Sequence, residues 1–340
     1  MIYEAVAGCV TEVFHASSDP RNATRSVHFV LAPGNPGCLA FYAPFLQYMF
    51  QELDKSVDGS TLVGCHGCGN ANHHFRDEHD NDNINFEKEY TFEEQIEHFE
   101  SFVMMILARD RSLYGIEDIR LIICGHSIGA YVGIEVLSRN EDLRKHCVAL
   151  HILMPFIWWS NLDFLQKTKL RLYMNTPEII TRWFASRVYN MQSRVDTHTK
   201  IAFIKGTHPD MDADAVNVTA TMMLSKRLLG NFFSMANTEL QAVICNEKQV
   251  VQRLKKFSGL MSVFALYTDK DVWAPEKDIA RLSKFCPYVN TKFIPGLTHA
   301  FATSLRKSAV VGNAMLEDLR KNCRGLKSLG RAQNKLVSKL

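Results

Sequence analysis

The chain has 340 residues, of which 46% are hydrophobic and 22% charged, and its formal net charge is only +3. This length and apolar content suit one large α/β core, alone or with an inserted cap, so we predict a single domain over residues 1–340. Because acidic and basic residues are nearly balanced, the composition gives no reason to expect nucleic acid as a partner, and we predict none.

Nine cysteines, an odd number, are spread along the chain, and several lie inside apolar runs, where a thiol packs as a small hydrophobic group. This pattern is typical of a reducing compartment. Cys65-x-x-Cys68, followed by His73 and His74, has the spacing of zinc ligands, but no second pair completes such a site. We therefore predict no metal and no cofactor.

The sequence shows no segment that we expect to cross a membrane or to direct secretion. The first residues lack a basic region followed by an apolar stretch, so no signal peptide is predicted. The uncharged run over residues 148–162 is shorter than the ~18 residues that suggest a spanning helix, and Pro155 interrupts it. We expect a protein that is soluble or bound peripherally to a membrane.

A loop rich in glycine and proline, Pro33-Gly34-Asn35-Pro36-Gly37, follows the first buried strand, predicted over residues 27–32, and precedes a helix predicted over residues 41–53. A loop in this position suits half of an oxyanion hole, the pair of N–H donors that bind a developing negative charge. Because Pro36 has no N–H, the backbone amide of Asn35 is the favoured donor. A plain turn between strand and helix is the alternative.

The next segments predict a strand over residues 61–64, a long polar loop over residues 66–90, and a helix that begins with a capping box at Thr91 and Glu94. Alternation of strands and helices predicts a parallel sheet with right-handed crossovers. In this fold the catalytic base follows the nucleophile in the chain, so we interpret the loop's histidines as loop residues. They are His66, His73, His74 and His79.

The segment Gly125-His126-Ser127-Ile128-Gly129 joins an apolar strand, residues 121–124, to a buried helical pattern, residues 130–137. Strand, sharp turn and helix around Gly-x-Ser-x-Gly are the signature of a nucleophile elbow. The alternative is a tight turn that carries an idle serine.

An elbow explains the residues around Ser127. Gly125 and Gly129 leave space where strand and helix nearly touch, and the strained turn holds the serine hydroxyl out of the sheet. The hydroxyl can then act as a nucleophile, with the amide of Ile128 as the second oxyanion donor.

Roughly a hundred residues separate the buried strand predicted over residues 148–154 from the next one, over residues 261–267, whereas ordinary connections take about 2 to 6 residues. We therefore predict an insertion over residues 155–257, mostly helical and rich in aromatic and methionine side chains, that forms a lid over the active site. A cap whose aromatic residues form their own core is the alternative. His151 in the first strand is interpreted as a core residue.

Two aspartates, Asp269 and Asp271, follow the second of these strands, and a triad needs a carboxylate in this loop to orient an imidazole. Asp271 is favoured because it lies further from the strand and its loop is closed by Pro275, whereas Asp269 could simply cap the turn. The last strand, residues 291–295, leads to His299 in the position of the base. The resulting order of serine, aspartate and histidine is the one that this fold requires.

Several of these segments together resemble the lipid droplet-associated hydrolase family, over roughly residues 27–320. The resemblance implies an α/β-hydrolase with Ser127, Asp271 and His299 as its triad. It also implies a location on lipid droplets and endoplasmic reticulum. The substrates that it implies are lipid esters, with sterol esters the proposed class. The matching segments are Pro33–Gly37, Gln95–His98, Gly125–Gly129, Asp271–Pro275 and His299–Phe301.

We therefore predict a mostly parallel sheet with helices on both faces and hydrolysis of carboxylic esters through an acyl-enzyme. The alternatives are a catalytically weak or silent surface protein of the droplet, and an acyltransferase that uses the same residues. Residues 155–188 are predicted to attach to lipid, and the basic tail over residues 320–340 is the alternative. The aromatic residues expected at the lipid headgroups are Trp158, Trp159, Tyr173, Trp183 and Phe184.

Overall fold

The computed structural model describes residues 2–73, 88–176, 178–222 and 225–323. The strands in these residues form one eight-stranded sheet. They are β1 (Ile2–Val6), β2 (Cys9–Ser17), β3 (Arg25–Ala32), β4 (Thr61–Cys68), β5 (Asp118–His126), β6 (Cys147–Leu153), β7 (Ser262–Tyr267) and β8 (Asn290–Phe293).

The order of the strands across the sheet is β1-β2-β4-β3-β5-β6-β7-β8. β1 pairs antiparallel with β2, as does β2 with β4, and every other neighbouring pair is parallel. The parallel strands are joined through helices on the two faces of the sheet, as the alternation of strand and helix patterns predicts.

Eleven α-helices are seen in the described residues. They are α1 (Ala43–Asp54), α2 (Phe92–Arg109), α3 (Ile128–Arg139), α4 (Glu141–His146), α5 (Phe164–Met174), α6 (Glu178–Gln192), α7 (Thr197–Thr207), α8 (Ala213–Met222), α9 (Lys226–Lys255), α10 (Lys277–Phe285) and α11 (Leu305–Asn322).

Helix α2 shows how the sequence determines an element and its packing. It begins at the predicted capping box, in which the Thr91 side chain accepts from the Glu94 backbone N–H while the Glu94 carboxylate accepts from the Thr91 backbone N–H. Its apolar face, which includes Ile96, Phe99 and Val103, is buried in the main core. Each such side chain gains about 1.5–3 kcal/mol on burial, so the face holds the helix against the sheet.

Strand β4 is longer than predicted, because it continues to Cys68 instead of ending at Gly64. The interpretation of His66 as a loop residue is therefore wrong, since it lies buried within this strand. The absent side chain at Gly64 is what accommodates it: a Cβ there would collide with the rings of His28 and His66. His73 is also buried, and His74 and His79 lie outside the described residues.

His66 is part of a hydrogen-bonded series that we call the histidine chain, formed by Asp110, His28, His66, His15 and Glu4. His28 Nε2 lies 2.5 Å from Asp110 Oδ2, and His28 Nδ1 lies 2.9 Å from His66 Nε2. His66 Nδ1 lies 2.7 Å from His15 Nδ1, and His15 Nε2 lies 3.2 Å from Glu4 Oε2. The chain thus runs across four strands, from a fully buried carboxylate to a partly exposed one.

The segment between β6 and β7 contains helices α5 to α9, which differ in how they pack. The long helix α9 contributes Met235, Leu240 and Val243, among others, to the main core. Helices α7 and α8 instead share a small cluster of their own, which contains Ile204 and Val216. α9 is therefore part of the main core, whereas α7 and α8 have a small apolar cluster of their own.

Two of the tryptophans expected at a lipid surface are buried instead. The Trp158 side chain is fully buried and the Trp159 side chain is 7% exposed, both within the main core. The guanidinium of Arg281 in α10 lies 4.1 Å from the centroid of the Trp158 ring. The expectation fails because these residues precede α5, where the chain is still packed against the sheet. Among the described helices, none is long and apolar enough to cross a bilayer.

Candidate active site

Ser127 lies in the sharp turn between β5 and α3, with φ of 55° and ψ of −121°. A non-glycine residue in such a conformation is strained, and its backbone is held by a 2.9 Å hydrogen bond from its N–H to the carbonyl of Leu153. A Cβ at Gly125 would collide with the carbonyl of Gly129, and one at Gly129 would collide with the carbonyl of Ala32. Only glycine fits at both positions, so the turn exposes Ser127 at the carboxyl ends of the strands.

The Ser127 hydroxyl begins a hydrogen-bonded series of three side chains. Ser127 Oγ lies 2.9 Å from His299 Nε2, and His299 Nδ1 lies 2.8 Å from Asp271 Oδ2. The three residues come from the turn after β5, the loop after β8 and the loop after β7. Parallel strands end at the same edge of a sheet, which brings residues so distant in sequence together.

Asp271 is fixed by its own backbone surroundings. Its second oxygen, Oδ1, accepts hydrogen bonds of 2.9 Å and 3.1 Å from the N–H groups of Trp273 and Ala274. Burial raises the pKa of the carboxyl, but the hydrogen bond to His299, the attraction of this imidazole when it is protonated and the two backbone N–H groups together lower it more, so that the pKa lies below its ordinary value. Asp271 is thus ionised near neutral pH.

Asp269, the other carboxylate of this loop, has a different arrangement. Its Oδ1 accepts a 2.6 Å hydrogen bond from the N–H of Gly296, and the hydroxyl of Thr268 lies 3.2 Å from the same oxygen. The bond from Gly296 lowers the pKa of the Asp269 carboxyl. Asp269 therefore joins the loops after β7 and β8, whereas Asp271 contacts the imidazole itself.

The loop Pro33–Gly37 lies directly beside Ser127. An ideal Cβ placed on Gly34 would be 3.1 Å from the Ser127 Cβ, and the following Asn35-Pro36 peptide bond is cis. The Asn35 side-chain amide donates a 3.2 Å hydrogen bond to the carbonyl of Phe232 in α9. On the other side of Ser127, Ile128 is the first residue of α3, so its N–H has no acceptor within the helix.

A cavity of about 230 Å³ opens beside the Ser127 hydroxyl. Its walls come mainly from the loop after β3, the residues around His299 and helix α8 with the turn before it, and they are largely apolar. A lining of this kind suits an apolar ligand positioned against a few polar groups. The residues that contribute from the helical insertion are Met211, Thr219 and Met222.

Two further residues of this site, His126 and Tyr42, are not among those predicted from the sequence. His126 Nδ1 lies 2.6 Å from the Tyr42 hydroxyl, and His126 Nε2 lies 2.9 Å from the carbonyl oxygen of His299. The only sequence signal is the position of His126 directly before the serine of the elbow.

Of the cysteines and histidines whose spacing resembles that of zinc ligands, those that the structure describes make hydrogen bonds with other groups. Cys65 Sγ donates to the carbonyl of Leu46, and Cys68 Sγ lies 3.5 Å from His98 Nε2. The His73 ring contacts the carbonyl of Pro36. Within the described residues, no group of three or more His, Cys, Asp or Glu side chains is arranged to hold a metal ion.

Comparison with known proteins supports the fold. A soluble variant of monoglyceride lipase from Saccharomyces cerevisiae superimposes with a TM-score of 0.55, covering 94% of each chain at 16% sequence identity. A thioesterase domain from the curacin biosynthetic pathway superimposes with a TM-score of 0.54, covering 93% of this chain and 98% of that domain at 13% identity. The predicted α/β-hydrolase fold is confirmed.

Sequence comparison identifies the family. Over 299 residues, 86% of each chain, the protein is 21% identical to a lipid droplet-associated hydrolase of Gallus gallus. It is 29% identical to the Dictyostelium discoideum protein of that name over 155 residues, which span only 45% of that relative's length. The family model described as lipid-droplet associated hydrolase matches residues 25–302. The chain therefore belongs to the lipid-droplet associated hydrolase family.

Proposed function

We propose that the protein hydrolyses carboxylic esters of lipids, sterol esters among them, through an acyl-enzyme formed on Ser127. The observation that carries this proposal is the hydrogen-bonded series of Ser127, His299 and Asp271, which ends at an apolar cavity. Serine, histidine and aspartate in this geometry are the components of a catalytic triad.

In the first half of the reaction, Ser127 Oγ attacks the ester carbonyl carbon while His299 Nε2 takes the hydroxyl proton. Asp271 stabilises the imidazolium that forms. The carbonyl oxygen becomes an oxyanion, which accepts hydrogen bonds from the backbone amides of Asn35 and Ile128. When the carbon–oxygen bond to the alcohol breaks, His299 gives its proton to that oxygen, leaving the acyl group on Ser127.

The second half returns the enzyme to its starting state. A water molecule attacks the acyl carbon, and His299 takes one proton from it. The bond between the acyl carbon and Ser127 Oγ then breaks, and His299 returns a proton to the serine. The net result is one ester and one water converted to an acid and an alcohol.

The size of the cavity bears on which part of the ester it holds. At about 230 Å³ it is smaller than the roughly 300–1,000 Å³ of a typical site for a drug-sized ligand. We propose that it holds the acyl chain near the scissile bond, while a bulky alcohol part lies outside. Helix α8 covers the cavity through Met222 and Thr219, so we propose that α5 to α8 act as the lid.

A fluorescent phosphonate that reacts with activated serines tests the proposal. We expect the wild-type protein and a Ser138→Ala control in α3 to be labelled, and Ser127→Ala to remain unlabelled. Labelling of Ser127→Ala equal to that of wild type would show that the elbow serine is idle. Unlabelled wild-type protein, folded by circular dichroism, would instead favour a silent surface protein.

We also propose that helices α5 and α6 attach the protein to the surface of a lipid droplet or of the endoplasmic reticulum. Large apolar side chains on these helices are exposed, with Phe164 84% and Leu172 74% accessible. On α6, Ile180, Trp183 and Met191 follow helical spacing and are also exposed. Apolar surfaces of this kind mark interaction sites, and each side chain would gain about 1.5–3 kcal/mol on entering lipid.

Basic residues flank this apolar surface, as expected for contact with lipid phosphates. Lys169, Arg171 and Arg187 are exposed on the same two helices, and the Arg187 guanidinium lies 5.3 Å from the centroid of the Trp183 ring. The relatives named lipid droplet-associated hydrolases support the choice of the droplet surface. Most of the basic tail lies outside the described residues.

Flotation with phospholipid-coated triacylglycerol droplets tests the attachment. We expect a triple variant, Phe164→Ser, Leu172→Ser and Trp183→Ser, to lose most of its droplet-bound fraction and to keep its turnover of a water-soluble ester. A control with the exposed polar changes Thr168→Ala and Asn190→Ala should float as wild type does. Flotation of the triple variant at wild-type levels would contradict the proposal.

A further inference from the structure

A series of three hydrogen bonds joins the oxyanion loop to the backbone of His299. The N–H of Gly34 lies 3.1 Å from the Tyr42 hydroxyl, which lies 2.6 Å from His126 Nδ1. His126 Nε2 in turn lies 2.9 Å from the carbonyl oxygen of His299. The series thus begins one residue before the predicted oxyanion donor and ends on the residue that carries the catalytic imidazole.

The two ends of the series determine the direction of every bond. The carbonyl oxygen of His299 can only accept, so His126 must carry a proton on Nε2. The neutral imidazole then has an acceptor at Nδ1, and the Tyr42 hydroxyl donates to it. The Tyr42 oxygen in turn accepts the proton of the Gly34 N–H, so every group in the series is satisfied in a single tautomer.

Burial keeps this series neutral. His126 is 5% exposed and Tyr42 is 6% exposed. Burial is the main cause that lowers the pKa of His126 to about 3, and repulsion from His299 in its protonated form acts in the same direction. A proton on Nδ1 would remove the acceptor for Tyr42 and would place a charge on a ring whose centroid is 5.0 Å from that of His299. His299 itself becomes positive during the proposed reaction, so a neutral neighbour is required.

We propose that His126 is a positioning residue that sets the distance between the oxyanion donors and the catalytic imidazole. Its ring is bonded directly to the carbonyl of His299 and, through the Tyr42 hydroxyl, to the N–H of Gly34, and it is the residue that precedes Ser127. This inference rests on the proposed esterase function. Displacing reacting groups by about 1 Å can lower a rate by 10²-fold, so such a residue affects turnover without touching the substrate.

His98 provides a matched control for a buried histidine with a purely structural role. Its side chain is 4% exposed, and burial lowers its pKa to about 4. Its Nε2 lies 3.0 Å from the Thr11 hydroxyl and 3.5 Å from Cys68 Sγ, and none of these three residues lines the cavity beside Ser127.

Two substitutions separate the two bonds of His126. In His126→Gln the amide can still donate near the position of Nε2, but the acceptor for Tyr42 is lost. In His126→Asn the shorter side chain can still accept from Tyr42, but it cannot reach the carbonyl of His299. Turnover and KM would be measured on a soluble short-chain p-nitrophenyl ester, with phosphonate labelling rates and thermal unfolding in parallel.

We expect both His126 variants to lower kcat by about 10- to 100-fold while KM changes less than about threefold, because the effect is on the reacting geometry. His98→Gln should keep kcat within about twofold even where it lowers the unfolding temperature. The inference is overturned if wild-type protein is labelled and both His126 variants match its kcat, or if His98→Gln loses as much. Wild-type protein that is not labelled at all would refute the proposed function, and this inference with it.

Discussion

Among the histidine–aspartate pairs in the described residues, two have similarly short hydrogen bonds but different surroundings. His299 Nδ1 lies 2.8 Å from Asp271 at the carboxyl ends of the strands, and His28 Nε2 in β3 lies 2.5 Å from Asp110, which directly follows α2. In both, burial raises the pKa of the carboxyl, but the histidine and the other hydrogen-bonding or charged neighbours together lower it more, so the pKa ends below its ordinary value. The pairs differ in what the second ring nitrogen meets.

At the candidate active site, the second nitrogen of His299 faces the Ser127 hydroxyl and the apolar cavity. In the histidine chain, the second nitrogen of His28 faces His66, and both rings are fully buried. A carboxylate–imidazole pair therefore does not identify a catalytic site. A nucleophile and space for a substrate at the free nitrogen are also required.

Replacing the aspartate of each pair by asparagine should distinguish the two pairs most strongly through the turnover of the enzyme. We expect Asp271→Asn to lower kcat about 10⁴-fold, as the same change does in the triad of a serine protease, because the charge that stabilises the imidazolium is lost. Asp269→Asn, which leaves the hydrogen bond to His299 intact, is the control and should cost less than about tenfold. Hydrolysis of a soluble ester measures both, and the reverse ranking would identify Asp269 as the acid.

The same substitution in the histidine chain should affect stability instead. Asp110→Asn replaces a charge-assisted hydrogen bond by a neutral one, and we expect the free energy of unfolding to fall by about 1–2 kcal/mol. Turnover per folded molecule should stay within about twofold of wild type. Urea unfolding and ester hydrolysis of the same preparation measure the two quantities. A large loss of turnover with unchanged stability would mean that the histidine chain takes part in the reaction.

The smallest expected effect is a change in pH dependence. Burial lowers the pKa of His66 well below its ordinary value, and the charges of the neighbouring histidines and Arg109 lower it further. Burial also lowers the pKa of His15, although Glu4 raises it in part. Because the folded pKa lies below the unfolded one, acid protonates the unfolded chain first, and stability falls as the pH drops below about 6.5.

His66→Gln removes one of these titrating groups. The free energy of unfolding falls between pH 7 and pH 5, and we expect the slope of this fall to be smaller in the variant. The reduction is at most about 1.4 kcal/mol per pH unit, which is the amount for one proton. Urea titrations at several pH values measure the slope. The exposed His208→Gln serves as the control and should leave the slope unchanged. An unchanged slope in His66→Gln would show that the histidine chain does not take up protons in this range.

Local sequence patterns are sufficient for most strands of the parallel sheet, for the capping box and for the order of serine, aspartate and histidine along the chain. The apolar run before Ser127 and the glycines around it act within a few residues, so the turn is recognisable without the fold. The same holds for the loop that ends at Pro275, in which Asp271 accepts from backbone N–H groups two and three residues later.

Contacts between distant parts of the chain cannot be predicted in this way. His28 and Asp110 are 82 residues apart, and Tyr42 and His126 are 84 residues apart, so neither pair leaves a local pattern. The sequence predicts too short a strand β4 because Gly64 and Gly67 interrupt its pattern, and glycine is depleted in strands. It predicts Trp158 at a lipid surface because composition does not reveal that Arg281 covers its ring.

The hydrogen bond from the Asn35 side chain to the carbonyl of Phe232 has a consequence for how this protein could be re-engineered or could diverge. It makes α9 part of the support of the loop Pro33–Gly37, and the buried Glu239 of the same helix also contacts Asn35. An exchange of helices α5 to α8 for those of another protein would therefore leave this hydrogen bond in place. An exchange that includes α9 would have to supply a new acceptor for Asn35.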